Sequence, residues 1–304
     1  MKKFVAIVLV LAALVAGLAI YQHQSAPRPG HASLMVYCAA GLKTPVEAVA
    51  EQYRYETGGE VNLQFGGTGS LLSQLRAVHK GDLFIAADEG AVGDARKADL
   101  IGDVFAVAVQ HPVVAVRKNN PKNIKTLEDL LRPDVKLALA NPEAASISRV
   151  SRAALGDTWK KLAAHATVTK PTVTEVAADV NLGTTDAGII WDAVVAQFKD
   201  LQAVEVPQLA DHKENASACV LSFSEQSAMA VRFAHYLTAP DKGGAIFRES
   251  GFTPAGGEKW TASAGLGPAE GGALPRSFST ATMVHRLEAA STTRGMATTV
   301  RKDG

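Results

Sequence analysis

The chain has 304 residues, 47% of them hydrophobic, and a formal net charge of +1. That length can build one large domain or two medium ones, each with a substantial core. The near-balanced charge lacks the basic footprint of nucleic-acid binding, and eight histidines without ligand spacing argue against a bound metal cation.

Lys2 and Lys3 precede an unbroken apolar run over 4–20. A basic start followed by a long apolar stretch is the pattern of an export signal. The run is also nearly long enough to span a bilayer, so a cleaved signal and an uncleaved anchor both fit. No cysteine follows it directly, which argues against a lipid anchor. Membrane contact is expected only through this segment, and the protein is expected to be periplasmic or otherwise extracytoplasmic. Residues 21–32 read as a polar linker containing Pro27, Pro29 and Gly30.

From Leu34 onward, strand and helix patterns alternate. A strand over 34–39 leads to Thr44-Pro45-Val46-Glu47, a capping box with proline at the first helical position. Val46, Val49, Ala50 and Tyr53 then share one helical face, closed by Gly58. Val61, Leu63 and Phe65 alternate as a strand; Leu71, Leu75 and Val78 mark a second helix. A strand over 83–87 ends at Asp88, with a helix near 91–98. This βαβαβ series predicts a mostly parallel sheet with helices on both faces.

The second stretch repeats the theme. Strands are predicted over 113–116, 136–140 and 187–191, and further ones near 204–206 and 218–221. Helical faces fall near 126–131, through Ala153 and Leu155, at Trp159 and Leu162, and over Val173, Val176, Ala177 and Val180. Helices over 224–237 and around Ala245 to Phe247 close the series. The fold class is therefore α/β in two lobes. The expected organisation is 1–32 signal or anchor and linker, 33–111 plus 223–254 lobe one, 112–222 lobe two, and 255–304 a disordered tail rich in small residues. Ligands of such lobes bind where strands end and helices begin, in the cleft.

Two turns stand out. Tyr37-Cys38-Ala39-Ala40-Gly41-Leu42 and Phe65-Gly66-Gly67-Thr68-Gly69-Ser70 each pass from strand into helix. Such turns aim free N–H groups and the helix dipole at one spot, which suits an anion. The glycine turn lacks the Gly-Lys-Ser/Thr of a phosphate loop and the third glycine of a dinucleotide fingerprint. Alone it reads as a tight structural turn; with its twin it reads as an anion site. Asn141-Pro142-Glu143 before Ser146-Ile147-Ser148 is a third such turn, or an ordinary cap. Trp191 ends a buried strand, either as a core aromatic or as an N–H donor to the cleft. Asp88 and Asp192 read as helix caps, and Lys43 and Arg149 as surface cations close enough to assist an anion. No Gly-x-Ser-x-Gly elbow is present, so the chain does not read as an enzyme. Cys38 and Cys219 read as buried thiols, with a disulfide left open.

Taken in order, these stretches resemble the periplasmic molybdate-binding proteins of ABC transporters. The resemblance rests on YCAAGLKTPVEAVAEQY, VNLQFGGTGSLLSQL, GDLFIAAD, DLLRPDVKLALANPEAA, EVAADV to DAGIIWDA, and FRESGF. It implies the two-lobed type II solute-binding fold, closing on its ligand by hinge motion. It implies an oxyanion, molybdate or tungstate, held by neutral donors at Gly41, Thr68, Ile147, Val173 and Trp191, without cofactor, metal cation or catalytic residue. Thr68 keeps a hydroxyl. Gly41 has none where the family has serine, and Trp191 offers an indole N–H where the family has tyrosine. The implied partners are a permease and an ATPase, with the binding protein a monomer. Sulfate or another small anion on the same scaffold is an alternative, as is a membrane-tethered sensor without a transport role.

Overall fold

The computed structural model describes residues 33–261. The expected export segment, and most of the expected tail, lie outside the described residues. In chain order the elements are β1 (Ser33–Ala39), α1 (Lys43–Thr57), β2 (Glu60–Gly66), α2 (Thr68–Val78), β3 (Leu83–Ala86), α3 (Glu89–Lys97), β4 (Ile101–Gln110) and β5 (Pro112–Arg117). They continue with β6 (Leu137–Ala140), α4 (Ser146–Leu155), α5 (Asp157–His165), β7 (Val168–Lys170), α6 (Val173–Leu182), β8 (Ala187–Trp191) and α7 (Asp192–Val195). The last are β9 (Leu201–Val204), α8 (Pro207–Ala210), β10 (Glu214–Leu221), α9 (Ser227–Thr238), α10 (Gly243–Glu249) and β11 (Thr253–Pro254).

The strands form two sheets. The first has the order β11-β4-β10-β3-β1-β2, and the second β7-β6-β8-β5-β9. β1 pairs in parallel with β2 and β3, while β10 runs antiparallel to both β3 and β4. In the second sheet β6 is parallel to β7 and β8, and β5 antiparallel to β8 and β9. Both sheets are therefore mixed rather than mostly parallel. The reason is the crossover: the chain leaves the first sheet along β4 and returns along β10, so these two strands lie antiparallel. β4 escapes the sequence pattern because Gly102 and Asp103 at its start look like a turn. Short β7 was also missed, and β9 lies at 201–204 rather than 204–206.

The first helix buries the face its spacing predicts, whereas on α2 Leu71 and Leu75 are buried but Val78, expected on the same face, is 45% exposed. On α1 the buried side chains are Pro45, Val46, Val49, Ala50 and Tyr53, and Gly58 ends the helix in the left-handed conformation at φ 74°. Tyr53 stands edge-on to Phe233 and Tyr236, 5.1 Å from each ring centroid. Full burial of side chains this size contributes about 1.5–3 kcal/mol apiece, so this face sets where α1 sits. The capping box does not form. Residues 40–42 make a 3-10 turn that runs into α1, and the Lys43 N–H donates to the Ala40 carbonyl in place of a Thr44 cap.

Cys38 and Cys219 are both free and buried. They sit on β1 and β10, with β3 between them, and belong to hydrophobic clusters on opposite faces of the first sheet. Strands two places apart are separated by about 9–10 Å, too far for a disulfide.

The chain crosses between sheets at His111 and again at 205–213. His111 ties the crossings together: its Nδ1 lies 3.1 Å from Asp192 Oδ2 and its Nε2 3.1 Å from Glu205 Oε2. Asp192 also accepts the His111 N–H at 3.0 Å, so it braces the crossover instead of capping a helix. Residues 255–261, expected to belong to the tail, run along the first lobe. The Ala255 N–H donates to the Val107 carbonyl at 3.0 Å, and Trp260 packs edge-on to Tyr236 at 5.0 Å.

Candidate functional site

Four helix starts face one another across the cleft. From the first sheet come the turn after β1 (residues 39–41) and the turn after β2 (66–68), joined by Ala87 at the end of β3. From the second sheet come residues 145–147 at the start of α4, Val173 at the start of α6, and Trp191 at the end of β8. All five residues singled out by sequence, Gly41, Thr68, Ile147, Val173 and Trp191, line this one cavity. It is small, about 10 Å³ for the centre of a water-sized sphere.

The local sequence explains the donors. A helix cannot satisfy its own first N–H groups. Thr68 and Val173 are the first residues of α2 and α6, and Ile147 is the second of α4. Their backbone N–H groups, and that of Gly41, have no protein acceptor among the described residues. The side chains are buried: Thr68 is 2% exposed and Trp191 1%. At Gly41, a Cβ would stand 3.1 Å from Val173 Cγ1 and 3.6 Å from Trp191 Cδ1. A side chain at this position would thus press on Val173 and Val194 and touch Trp191 at ordinary contact distance.

Among the described residues no ionisable side chain lines the cavity. Asp88 follows the cavity-lining Ala87 in the chain and is 1% exposed. Its Oδ1 caps α3 by accepting the Ala91 N–H at 2.8 Å. The same oxygen accepts from Arg149 Nη2, and Arg149 Nη1 donates to Asp94 Oδ2 at 3.1 Å. Arg149 therefore neutralises a buried carboxylate across the cleft and does not face the cavity. Lys43 does not face it either. Its Nζ lies 3.8 Å from Glu47 and 5.5 Å from the Phe65 ring centroid.

The lobes meet closely. The Ala144 carbonyl accepts N–H groups of Gly69 at 2.9 Å and Ser70 at 3.3 Å. A Cβ at Gly67 would overlap the carbonyl oxygens of Ala144 and Pro171, and one at Gly69 that of Glu143. The two glycines are needed for close approach of facing backbones, and the conformation is closed. Gln197 adds a cross-lobe bond from its side-chain amide to the Gly41 carbonyl at 3.1 Å.

Sequence reasoning missed three parts of this arrangement. It took Arg149 for a surface cation and did not pair it with Asp88. It did not see that the glycine turn touches Ala144. It named Ser146 only as part of a turn, although the residue is 4% exposed, lines the cavity and has an unpartnered hydroxyl. Its place just after the Asn141-Pro142 turn was the available signal. Among the described residues no cluster of His, Cys, Asp and Glu is placed to hold a metal ion.

A cavity built from helix N-termini with neutral walls can hold an anion. Residues 34–253 match the family model described as bacterial extracellular solute-binding protein. The molybdate-binding protein ModA of Mycobacterium tuberculosis H37Rv is 30% identical over 256 residues, covering 80% of this chain and 95% of that protein. Among solved structures, the periplasmic molybdate-binding protein of Azotobacter vinelandii superposes with a TM-score of 0.61 at 18% identity, covering 73% of this chain and 99% of that one. The sulfate-binding protein SubI of Mycobacterium tuberculosis superposes with a TM-score of 0.64 at 19% identity, covering 74% and 88%. These structures share the two-lobed type II fold, and the relatives are solute-binding proteins, not enzymes. The chain belongs to the bacterial extracellular solute-binding proteins, in the family that includes the periplasmic molybdate-binding proteins.

Proposed function

We propose that the protein captures a tetrahedral oxyanion, molybdate or tungstate before others, outside the cytoplasm and hands it to an ABC permease driven by an ATPase. The observation that carries this reading is the convergence of four helix starts on a cavity lined by no charged side chain. Helix N-termini attract an anion through their free N–H groups and dipoles. A site of donors without acceptors takes a fully deprotonated dianion and rejects one that must keep a proton. The molybdate-binding relatives support the choice of ion. In this reading the ligand-binding residues are Gly41 through its N–H, Thr68 through N–H and hydroxyl, Ile147 and Val173 through N–H, and Trp191 through its indole. Closure about the 111 and 205–213 crossings brings the lobe-two donors to an ion first held by lobe one.

Sulfate is the second reading. It is favoured by Gly41 and Trp191, which give a donor set different from the serine and tyrosine implied by the resemblance. The test is thermal unfolding of the full chain against molybdate, tungstate, sulfate, phosphate and nitrate. A ligand at about a thousand times its Kd stabilises by about 4 kcal/mol. A rise in midpoint with molybdate and tungstate supports the first reading, and a rise with sulfate alone supports the second. A midpoint that no anion moves overturns both.

A further inference from the structure

We infer that the Ser146 hydroxyl is a direct donor to the bound anion and takes over the side-chain donation that Gly41 lacks. This inference rests on the oxyanion reading of the same cavity. Ser146 is the first residue of α4, and the N-cap before it, Ala145, has no side-chain acceptor for the helix. Ser146 is 4% exposed and is one of the residues lining the cavity. Its Oγ is fully buried and meets no partner among the described residues. A buried hydroxyl left unpaired costs free energy, and on a residue that lines a cavity that cost is recovered when an acceptor enters within its reach. Ser146 immediately precedes Ile147, so the start of α4 can offer both a hydroxyl and a backbone N–H to the anion. Ser148 is the natural comparison. Its hydroxyl is also buried and unpartnered, on the same helix, but it does not line the cavity.

Calorimetric titration of the full chain with molybdate, tungstate and sulfate tests this, using wild type, Ser146→Ala and Ser148→Ala. Loss of a hydrogen bond to a charged group should weaken binding about ten- to a hundredfold in Ser146→Ala. Ser148→Ala should bind as wild type does. The unfolding midpoint without anion should be unchanged or slightly higher in both variants, because each loses only an unpaired polar group. Wild-type affinity in Ser146→Ala overturns the donor assignment and leaves the oxyanion reading intact. Equal losses in Ser146→Ala and Ser148→Ala also overturn it, since the effect would then follow helix packing. A wild-type protein that binds none of the three anions overturns both the assignment and the reading beneath it.

Discussion

Arg149 of the second lobe bonds to Asp88 of the first, and the carboxylate it reaches is 1% exposed while the Arg149 side chain remains 29% exposed. The pair lies one residue from the cavity wall and exists only while the lobes are together. Removing one partner of a buried ion pair leaves an uncompensated charge, at a cost of about 3–5 kcal/mol when burial is complete. Partial exposure of Arg149 lowers that figure. Arg149→Met should therefore favour the open form, which rehydrates Asp88, and weaken anion binding about tenfold. Asp88→Asn with Arg149→Met should recover part of the loss. Calorimetry checks both, and unchanged affinity in the single variant would show that the pair does not hold the lobes closed.

Gly67 should be required for closure and not for folding. Its backbone, at φ −66° and ψ 139°, suits any residue. The obstacle to a side chain is the opposing backbone of Ala144 and Pro171. Gly67→Ala should leave the unliganded midpoint nearly unchanged and abolish its rise with anion. Small-angle scattering should show no compaction on adding ligand. Compaction equal to wild type would refute the close-approach role.

Thr68 and Trp191 face the same cavity from opposite lobes. Thr68→Val keeps the shape and removes the hydroxyl; Trp191→Phe keeps an aromatic ring and removes the N–H. Each should weaken anion binding about tenfold, by the loss of about 1.5 kcal/mol for a hydrogen bond to a charged acceptor. If titration finds both variants unaltered, neither side chain is a ligand.

The two cysteines should be inert in the native state. Burial pushes the Cys38 thiol well up, and the nearby Glu47 carboxylate adds to this. Burial likewise raises Cys219, to about 12. Thiolate is the reactive form, so at pH 8 almost none is present in the folded protein. Mass spectrometry after alkylation should show no label under native conditions and two labels after unfolding without reductant. A single native label would place one thiol within reach of solvent.

Glu214 should make stability depend on pH. Burial raises its carboxyl above the usual value, and the neighbouring Asp88 and Glu89 carboxylates raise it further. A carboxyl with a raised folded pKa binds its proton more tightly in the native state. Ionised Glu214 therefore destabilises the fold at neutral pH, and the penalty is relieved as pH falls through the folded value toward the unfolded one of about 4.3. Glu214→Gln can still accept the Glu89 N–H, which Glu214 now accepts at 2.9 Å. It should raise the unfolding midpoint at pH 7, with the difference vanishing near pH 4. Equal midpoints at pH 7 would contradict the raised value.

Much of this protein was determined by local pattern. Period-3.6 spacing fixed the buried face of α1, the Gly58 stop followed from the left-handed conformation glycine accepts, and strand-to-helix turns at 39–41 and 66–68 marked two ends that line the cavity. Gly41, Thr68 and Ile147 lie in strand-to-helix turns legible from a few adjacent residues, and Trp191 at a strand end, whereas Val173 and the grouping of the five as one donor set are implied only by the family resemblance.

What only the tertiary structure decided depends on partners distant in sequence. The antiparallel placement of β4 and β10 follows from the chain's return between lobes, more than a hundred residues after it leaves. The contact of Gly67 with Ala144, the pairing of Arg149 with Asp88, and the separation of Cys38 from Cys219 by β3 follow from which strands lie adjacent and which lobes meet. The unpartnered hydroxyl of Ser146 is of the same kind. A sequence shows that a serine can donate, but whether it has an acceptor is a property of the space around it.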